Sequence, residues 1–275
     1  RAAESGITET VNVTYLIYNN IFDSALASGD IISVKNSHII SDGKVKSRNG
    51  IDGTIYDEND EEIDVITDPD FEIPKLDFDE LRTMADNYIN VDTISGDEIE
   101  YESIPDYDTT DAIEEISDTA EQFTYIDGNL NIGQSVNNIN GSGVIVVDGK
   151  LSMGNNIEIN QADGHEEDFL IFLVRGSIDN EGVIADDEDT VEGENAIAMQ
   201  GLIYSEGNTI FGNQFEINGS VISGGELTLK NSKSSEPNIC YNPKFIEKLL
   251  DWGITFPQEE NEVYNIYKIT NWSES

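Results

Sequence analysis

Carboxylates are the side chains of this sequence that most readily suggest chemistry, since 56 of its 275 residues are Asp or Glu. Two segments concentrate hard oxygen ligands: Asp186, Asp187, Glu188 and Asp189 in the first, and Asp57, Asn59 and Asp60 in the second. Calcium prefers such ligands. We predict a calcium site at residues 186–189. Neither segment has the spacing of an EF-hand loop, and a solvated acidic loop is the alternative interpretation.

Residues that commonly serve in catalysis are scarce. His38 and His165 lie far apart in the sequence, Cys240 is the single cysteine, and the motifs HExxH, GxSxG and GxxxxGK are absent. Carboxylates are so numerous that a pair of them carries little information. We therefore predict a non-enzymatic protein with no catalytic residues and no cofactor, calcium apart. A polysaccharide-active enzyme on a β-helix, with paired carboxylates on one face, is the enzymatic alternative.

The balance of charge excludes several partners. With 14 Lys and Arg against 56 Asp and Glu, the net charge is −42. Such a surface does not attract nucleic acid or anionic membranes electrostatically. Its self-repulsion weakens in salt, because the Debye length falls to about 3 Å near 1 M. We hypothesise a salt-loving source or exposure to divalent cations outside the cell.

The cysteine count and the hydropathy limit how the fold can be stabilised and how the chain can contact a membrane. A single cysteine cannot form an internal disulfide, so packing must stabilise the fold. The sequence contains no apolar run near the roughly 18 residues needed to span a bilayer. Because it begins with Arg1 and not with Met, we expect that a segment upstream of Arg1 has been removed, and we expect membrane contact only through that segment.

A glycine repeats in one phase of a series of apolar runs between residues 123 and 229. The runs begin at Phe123, Val144, Leu170, Leu202 and Val221, and their glycines are Gly128, Gly149, Gly176, Gly207 and Gly225. Each unit reads as a strand, a glycine corner, a second short strand and a polar loop. Units this short bury a continuous apolar stripe only when they stack, which predicts a β-solenoid. A meander of antiparallel hairpins is the alternative.

The remaining segments supply helices and an acidic insertion. We predict a pilin-like helix at 1–28, first solenoid strands at 29–56, an acidic insertion with a helix at 77–90 within 57–122, solenoid repeats at 123–230, and a cap and tail at 231–275. We predict Asp77 as the N-cap of the helix at 77–90. A second helix follows Asn242, with Pro243 at its first position and Gly253 as its stop. We expect this C-terminal helix to cover the open end of the stack.

Three motifs carry a resemblance to a known family. They are Arg1-Ala-Ala-Glu-Ser-Gly-Ile, Val146-Val-Asp-Gly-Lys-Leu151 and Cys240-Tyr-Asn-Pro243. In this order they resemble PilX-like type IV pilus assembly proteins, a group of minor pilins, loosely over 1–28 and more closely over 123–245. Bactofilins, which are also β-solenoids rich in glycine, share these motifs.

The resemblance implies a function, a location and partners. It implies a structural subunit of a type IV pilus-like filament, extracellular or on the cell surface. Other pilin subunits would bind through the N-terminal helix, and the solenoid would face outward for rigidity, adhesion to a surface or cell target, or contacts between subunits. A cytoplasmic, bactofilin-like polymer that assembles end to end is the rival, and the two predicted helices argue against it because they would obstruct stacking.

Overall fold

A computed structural model shows a protein that is mainly β. It describes residues 20–35, 38–95, 122–132, 138–153, 157–161, 164–176, 178–180, 196–212, 214–230 and 238–254. Within these ranges there are twenty strands, two short α-helices and one 3-10 turn, Asn20–Asp23. None of the helices in this part of the chain is both long and apolar enough to cross a membrane.

The strands and helices follow one another in this order: β1 (Ser24–Ser28), β2 (Ile32–Lys35), β3 (Ile39–Asp42), β4 (Lys44–Ser47), β5 (Ile51–Asp52), β6 (Ile55–Tyr56), β7 (Ile66–Thr67), α1 (Phe78–Met84), β8 (Asn87–Ser95), β9 (Gln122–Ile132), β10 (Asn138–Ile139), β11 (Gly143–Val147), β12 (Leu151–Met153), β13 (Ile157–Ile159), β14 (Leu170–Val174), β15 (Ile178–Asn180), β16 (Ala196–Ser205), β17 (Thr209–Phe211), β18 (Gln214–Ser223), β19 (Leu227–Lys230), β20 (Ile239–Tyr241) and α2 (Lys244–Asp251).

The strands pair in three long parallel ladders. Ladder I contains, in spatial order, β8, β9, β11, β14, β16, β18, β1, β4 and β7. Ladder II contains β8, β9, β12, β15, β17, β19, β2 and β5. Ladder III contains β10, β13, β16, β18, β20, β3 and β6. Long strands such as β16 and β18 contribute one half to ladder III and the other half to ladder I.

Every pairing between these named strands is parallel, so the alternative of antiparallel hairpins is wrong. The antiparallel bridge in the described residues joins Tyr56 to Glu62 outside the ladders. Parallel strands require a crossover between partners, and here the chain visits the other ladders before it returns. This arrangement is compatible with a β-helix.

The glycines that recur once in each predicted unit stack in a column at the corner between ladders I and II. Gly176 N–H donates to the carbonyl of Gly149 at 2.9 Å, Gly207 to Gly176 at 3.0 Å, and Gly225 to Gly207 at 3.0 Å. A Cβ on Gly149 would lie 2.5 Å from the carbonyl oxygen of Gly128. The backbones approach too closely for a larger residue, which is why the repeat needs glycine here.

Apolar side chains on both faces of ladder I form two cores. Leu170, Phe172 and Val174 of β14 point into a core shared with ladders II and III. Ile171 and Leu173 of the same strand point to the opposite side, into a second cluster. Burial on both faces explains the uninterrupted apolar runs, because alternation is lost when neither face meets water.

The second cluster is covered by helices and by the segment 68–86, which we call the crossing segment because it connects β7 at one end of ladder I to β8 at the other. Its Leu76, Phe78 and Leu81 are buried there, as are Phe245 and Leu249 of α2. The prediction that α2 covers an open end of the stack is therefore wrong. It packs against the flank of ladder I, because its apolar face matches the outer side chains of that ladder.

Three other expectations change. The predicted N-terminal helix does not extend to residue 28, because Ser24–Ser28 is a fully buried strand; residues 1–19 lie outside the described residues. The insertion 57–122 is not wholly an excursion, since β7 and β8 belong to the ladders. The helix predicted at 77–90 ends at Met84, and Tyr88 lies in β8. Asp77 is its N-cap and accepts a hydrogen bond from the Glu80 N–H at 3.0 Å.

Candidate functional site

A polar depression of about 390 Å³ opens on the surface where β16 and β18 pass from ladder III to ladder I. Its lining is almost entirely amide and carboxylate: Asn160, Gln161, Glu166, Met199, Gln200, Glu216 and Asn218. Its size falls within the ordinary range of small-ligand pockets, although such pockets are usually more apolar. The depression is the candidate binding site of the described residues.

A chain of amide side chains fixes the floor of this depression. The buried Gln200 donates from Nε2 to the carbonyls of Glu166 and Asp168, at 2.9 and 2.7 Å. Its Oε1 accepts from Asn218 Nδ2 at 2.9 Å, and Asn218 Oδ1 accepts from Asn242 Nδ2 at 3.1 Å. These bonds hold the 164–168 loop against the strands. The floor is therefore preorganised, which lowers the entropic cost of binding a ligand.

In the described part of the chain, the depression contains two carboxylates, those of Glu166 and Glu216. Glu166 accepts hydrogen bonds from its own backbone N–H and from that of Gly164, and these lower the pKa of its carboxyl. A general acid needs the opposite shift. Glu216 is exposed on the outer side of β18. The site offers anionic and amide oxygens, which suit a cation or a hydroxyl-rich ligand.

A second polar cluster lies beneath the crossing segment. Asp148 accepts from the Tyr125 hydroxyl at 2.7 Å and pairs with Arg175 at 2.8 Å. The Arg175 guanidinium lies 4.6 Å from the centre of the Phe78 ring. Burial and the hydrogen bond to the Asp148 carboxylate raise the pKa of Tyr125. Because its groups contact one another and α1, this cluster is structural.

Two further contacts fasten the crossing segment to ladder I. The Tyr204 hydroxyl donates to the Pro74 carbonyl at 2.6 Å, and Glu206 Oε1 accepts from the Leu76 N–H at 3.0 Å. Burial raises the pKa of the Glu206 carboxyl, although the Leu76 hydrogen bond and nearby cations oppose this effect. A raised pKa is common at catalytic carboxylates. Here the geometry assigns the group to packing, because its oxygen receives a backbone N–H.

The two histidines lie in separate places. His38 stacks on Tyr56, with ring centres 4.5 Å apart, and its Nε2 lies 2.9 Å from Asp60. His165 Nδ1 lies 2.7 Å from Asp168 in the loop beside the depression. Each therefore has a local carboxylate partner.

The carboxylates predicted to bind calcium have two outcomes. Asp186, Asp187, Glu188 and Asp189 lie outside the described residues, so this site stays a prediction that a calcium titration can test. The second segment is described, and there Asp57 Oδ1 accepts the backbone N–H groups of Asn59 and Glu61 at 2.8 and 2.9 Å. The hydrogen bond from Glu61 contributes most to lowering the pKa of Asp57. No group of three or more His, Cys, Asp or Glu side chains in the described residues is placed to hold a metal ion.

Sequence reasoning missed the depression because it missed ladder III. The predicted runs begin at Leu202 and Val221, so they include only the second halves of β16 and β18, and they leave out β13. A signal was present in the alternation Ile157-Glu-Ile159 and Phe215-Glu-Ile217, whose isoleucines are buried and whose glutamates are exposed.

Comparison with known proteins adds no relative. No protein-family model matches the sequence, and it matches neither a curated protein nor a solved structure.

Proposed function

We propose that the three ladders close into a β-solenoid and that the protein is a non-enzymatic structural subunit of a type IV pilus-like surface filament. The observation that carries this proposal is the length and continuity of ladder I. Nine parallel strands at about 4.8 Å spacing extend roughly 38 Å around a continuous apolar core. Packing around this core makes the body rigid without an internal disulfide, which a single cysteine, Cys240, cannot form.

The position at which the chain enters this body supports a stalk. Phe22 packs against Phe245 of α2, with ring centres 6.0 Å apart, and its carbonyl accepts a hydrogen bond from the Tyr241 hydroxyl. Residues 20–23 therefore lie on the flank of ladder I and not at an end. A helix that precedes them would carry the body from its side, as the resemblance to minor pilins implies.

The acidic end of the stack argues against the bactofilin-like rival. Residues 57–64 contain six Asp or Glu and no Lys or Arg, and they fold back on β6 through the Ile63 N–H, which donates to the Ile55 carbonyl at 3.0 Å. Short, charged edges oppose edge-to-edge pairing.

The polar depression is the surface that we propose for an extracellular target. Its fixed amides and the carboxylates of Glu166 and Glu216 can bond several hydroxyl groups of a glycan. A glycan-binding screen with the intact protein and a Glu216→Ala variant tests this. Loss of a binding signal in that variant, with the signal retained in Lys35→Ala, supports adhesion through the depression; equal binding by both excludes it.

Incorporation into filaments tests the main proposal. A tagged gene is expressed in its source cell, either complete or lacking residues 1–19, and surface filaments are isolated and labelled with antibody. We expect the complete protein in the filaments and the shortened one to be absent from them while keeping the circular dichroism spectrum of the intact body. Equal incorporation of both forms, or recovery of the complete protein only from the cytoplasm, would refute the proposal.

A further inference from the structure

The first strands of the chain lie next to the last ones. β1 lies between β18 and β4, and β2 lies between β19 and β5. β20 pairs with β3 in the same way. Residues 20–67, here called the N-terminal unit, thus continue ladders whose other strands belong to residues 87–254, here called the main body. The surface between them is the junction.

The junction has the geometry of a continuous ladder. Leu26 lies opposite Val221, and Ile32 lies opposite Leu227, all four buried in the shared core. A column of buried serines also passes through it without interruption. Ser205 donates to the Gly207 carbonyl at 2.9 Å, Ser223 to Gly207 at 3.0 Å, Ser28 to Gly225 at 2.9 Å and Ser47 to Asp30 at 2.7 Å.

The junction depends on no particular chain connection. Residues 68–86 are the backbone link between the N-terminal unit and the main body, and a single cysteine, Cys240, cannot add a disulfide within the chain. This crossing segment joins β7 at one end of ladder I to β8 at the other, about 38 Å away across eight strand spacings. With seven residues in α1 and twelve extended, it can span at most about 50 Å. It therefore has little slack in the observed arrangement.

We propose that the junction also forms between two copies of this chain, with the N-terminal unit of one copy on the main body of the next. In that arrangement β7 no longer has to lie a full ladder length from β8 of its own chain. In the exchanged arrangement, each main body binds the N-terminal unit of a second copy.

The contacts of the crossing segment decide between the two arrangements. The Tyr204–Pro74 and Glu206–Leu76 hydrogen bonds, and the burial of Phe78 and Leu81, require that segment to lie on the flank of its own main body. When these contacts are weakened, the arrangement in which the N-terminal unit lies on its own main body is no longer more stable than exchange of that unit between two copies. The two surfaces that meet at the junction, that of the N-terminal unit and that of the main body, are different. Exchange therefore produces a heterologous interface, which gives an open-ended series of copies or a ring. Exchange at the junction does not require the pilin-like helix.

Disulfide trapping between two full-length variants tests the exchange. Ser33 and Thr228 are register partners across the junction, and both hydroxyls bond Glu226 Oε1, at 2.7 and 3.0 Å. Neighbouring strands place their Cα atoms within the range that a disulfide accepts. With Cys240→Ser in both, Ser33→Cys and Thr228→Cys chains are refolded together and oxidised. Each variant refolded alone is the control, because it lacks the second thiol.

We expect a covalent dimer on a non-reducing gel in the mixture only, with a yield that rises with protein concentration as mass action requires. A mixture that stays monomeric at every concentration, while a chain carrying both cysteines closes internally, overturns the proposal.

Light scattering provides a test that needs no thiol. A Tyr204→Phe/Leu81→Ala variant weakens the flank contacts, and Leu151→Ala, in the inner core of ladder II, is the control for general destabilisation. We expect the first variant to increase the oligomer fraction several-fold and the second to leave it unchanged. Equal fractions in both variants, or monomer in both, would contradict the inference.

Discussion

Replacement of Gly176 by alanine tests the reasoning about the glycine column most directly. The new Cβ would lie 2.4 Å from the carbonyl oxygen of Gly149 and 2.9 Å from its carbon. Ordinary contacts begin near 3.4 Å, so two adjacent backbones would have to separate by about 1 Å. Neither partner is a flexible side chain that could turn aside.

The magnitude follows from the contacts that such a separation breaks. The Gly176 N–H bond to Gly149, at 2.9 Å, and the Arg175 N–H bond to Val147, at 3.0 Å, would both be lengthened. Losing two hydrogen bonds costs about 2 kcal/mol. Forcing extra volume into a packed region adds about 1–3 kcal/mol. We therefore expect Gly176→Ala to lower the free energy of unfolding by about 3–5 kcal/mol.

Gly164→Ala is the matched control. Gly164 has a φ of +95°, but no atom of the described residues lies within 4 Å of the position of a Cβ. It should lose only the cost of a strained backbone, about 1 kcal/mol. Urea unfolding followed by far-ultraviolet circular dichroism gives both values, with an unchanged m-value as the check that the unfolding transition is the same. The column does not pack as described if Gly176→Ala is no more costly than Gly164→Ala.

Four further predictions concern buried polar groups and charge. Thr209→Val should raise the unfolding free energy by about 1 kcal/mol in urea titrations, because the buried Thr209 hydroxyl has no hydrogen-bond partner among the described residues; a loss of stability would contradict this. Burial raises the pKa of Glu206, so wild type loses folding stability as the pH rises from about 4.3 through the folded-state pKa. Glu206→Gln, which cannot ionise, should therefore be more stable than wild type at pH 7 and equal to it near pH 4. Burial of Asp23 opposes its ionisation, but hydrogen bonds from two lysines at 2.7 and 2.6 Å lower the pKa of its carboxyl. Asp23→Asn should therefore be less stable than wild type by a constant amount above about pH 4, and this difference should vanish as the pH falls through the folded-state pKa. Finally, the midpoint of thermal unfolding should rise as sodium chloride increases from about 0.05 to 1 M, because salt screens the net charge of −42; an unchanged midpoint would remove the idea of salt adaptation.

The glycine phase was predictable because it is a local signal with one physical cause. A column of backbones in van der Waals contact excludes a Cβ, so the requirement appears in the sequence as the same residue at each corner from Gly128 to Gly225. The paired runs on either side, such as β11 and β12, were predictable for a similar reason. Their apolar residues are many and consecutive, since ladder I is buried on both faces.

Ladder III and β1 were less accessible to sequence reasoning. The strands of ladder III are as short as two residues, as at Asn138–Ile139, and in β16 and β18 they continue without a break into the strands of ladder I. Ser24–Ser28 follows apolar residues at helical spacing, but a strand forms there because both of its neighbours, β18 and β4, offer free edges. Tertiary pairing overrides a local preference whenever it buries more of the segment.

Residue types and their spacing are sufficient to predict that the chain is mainly β, that its units turn at glycine and that it is strongly acidic. The identity of neighbouring strands, the continuation of the main-body ladders by the N-terminal unit and the position of α2 on a flank become apparent only in the folded chain. Parallel pairing joins residues far apart in the chain, such as Leu26 and Val221, and no local pattern encodes which of several similar apolar edges a strand will meet.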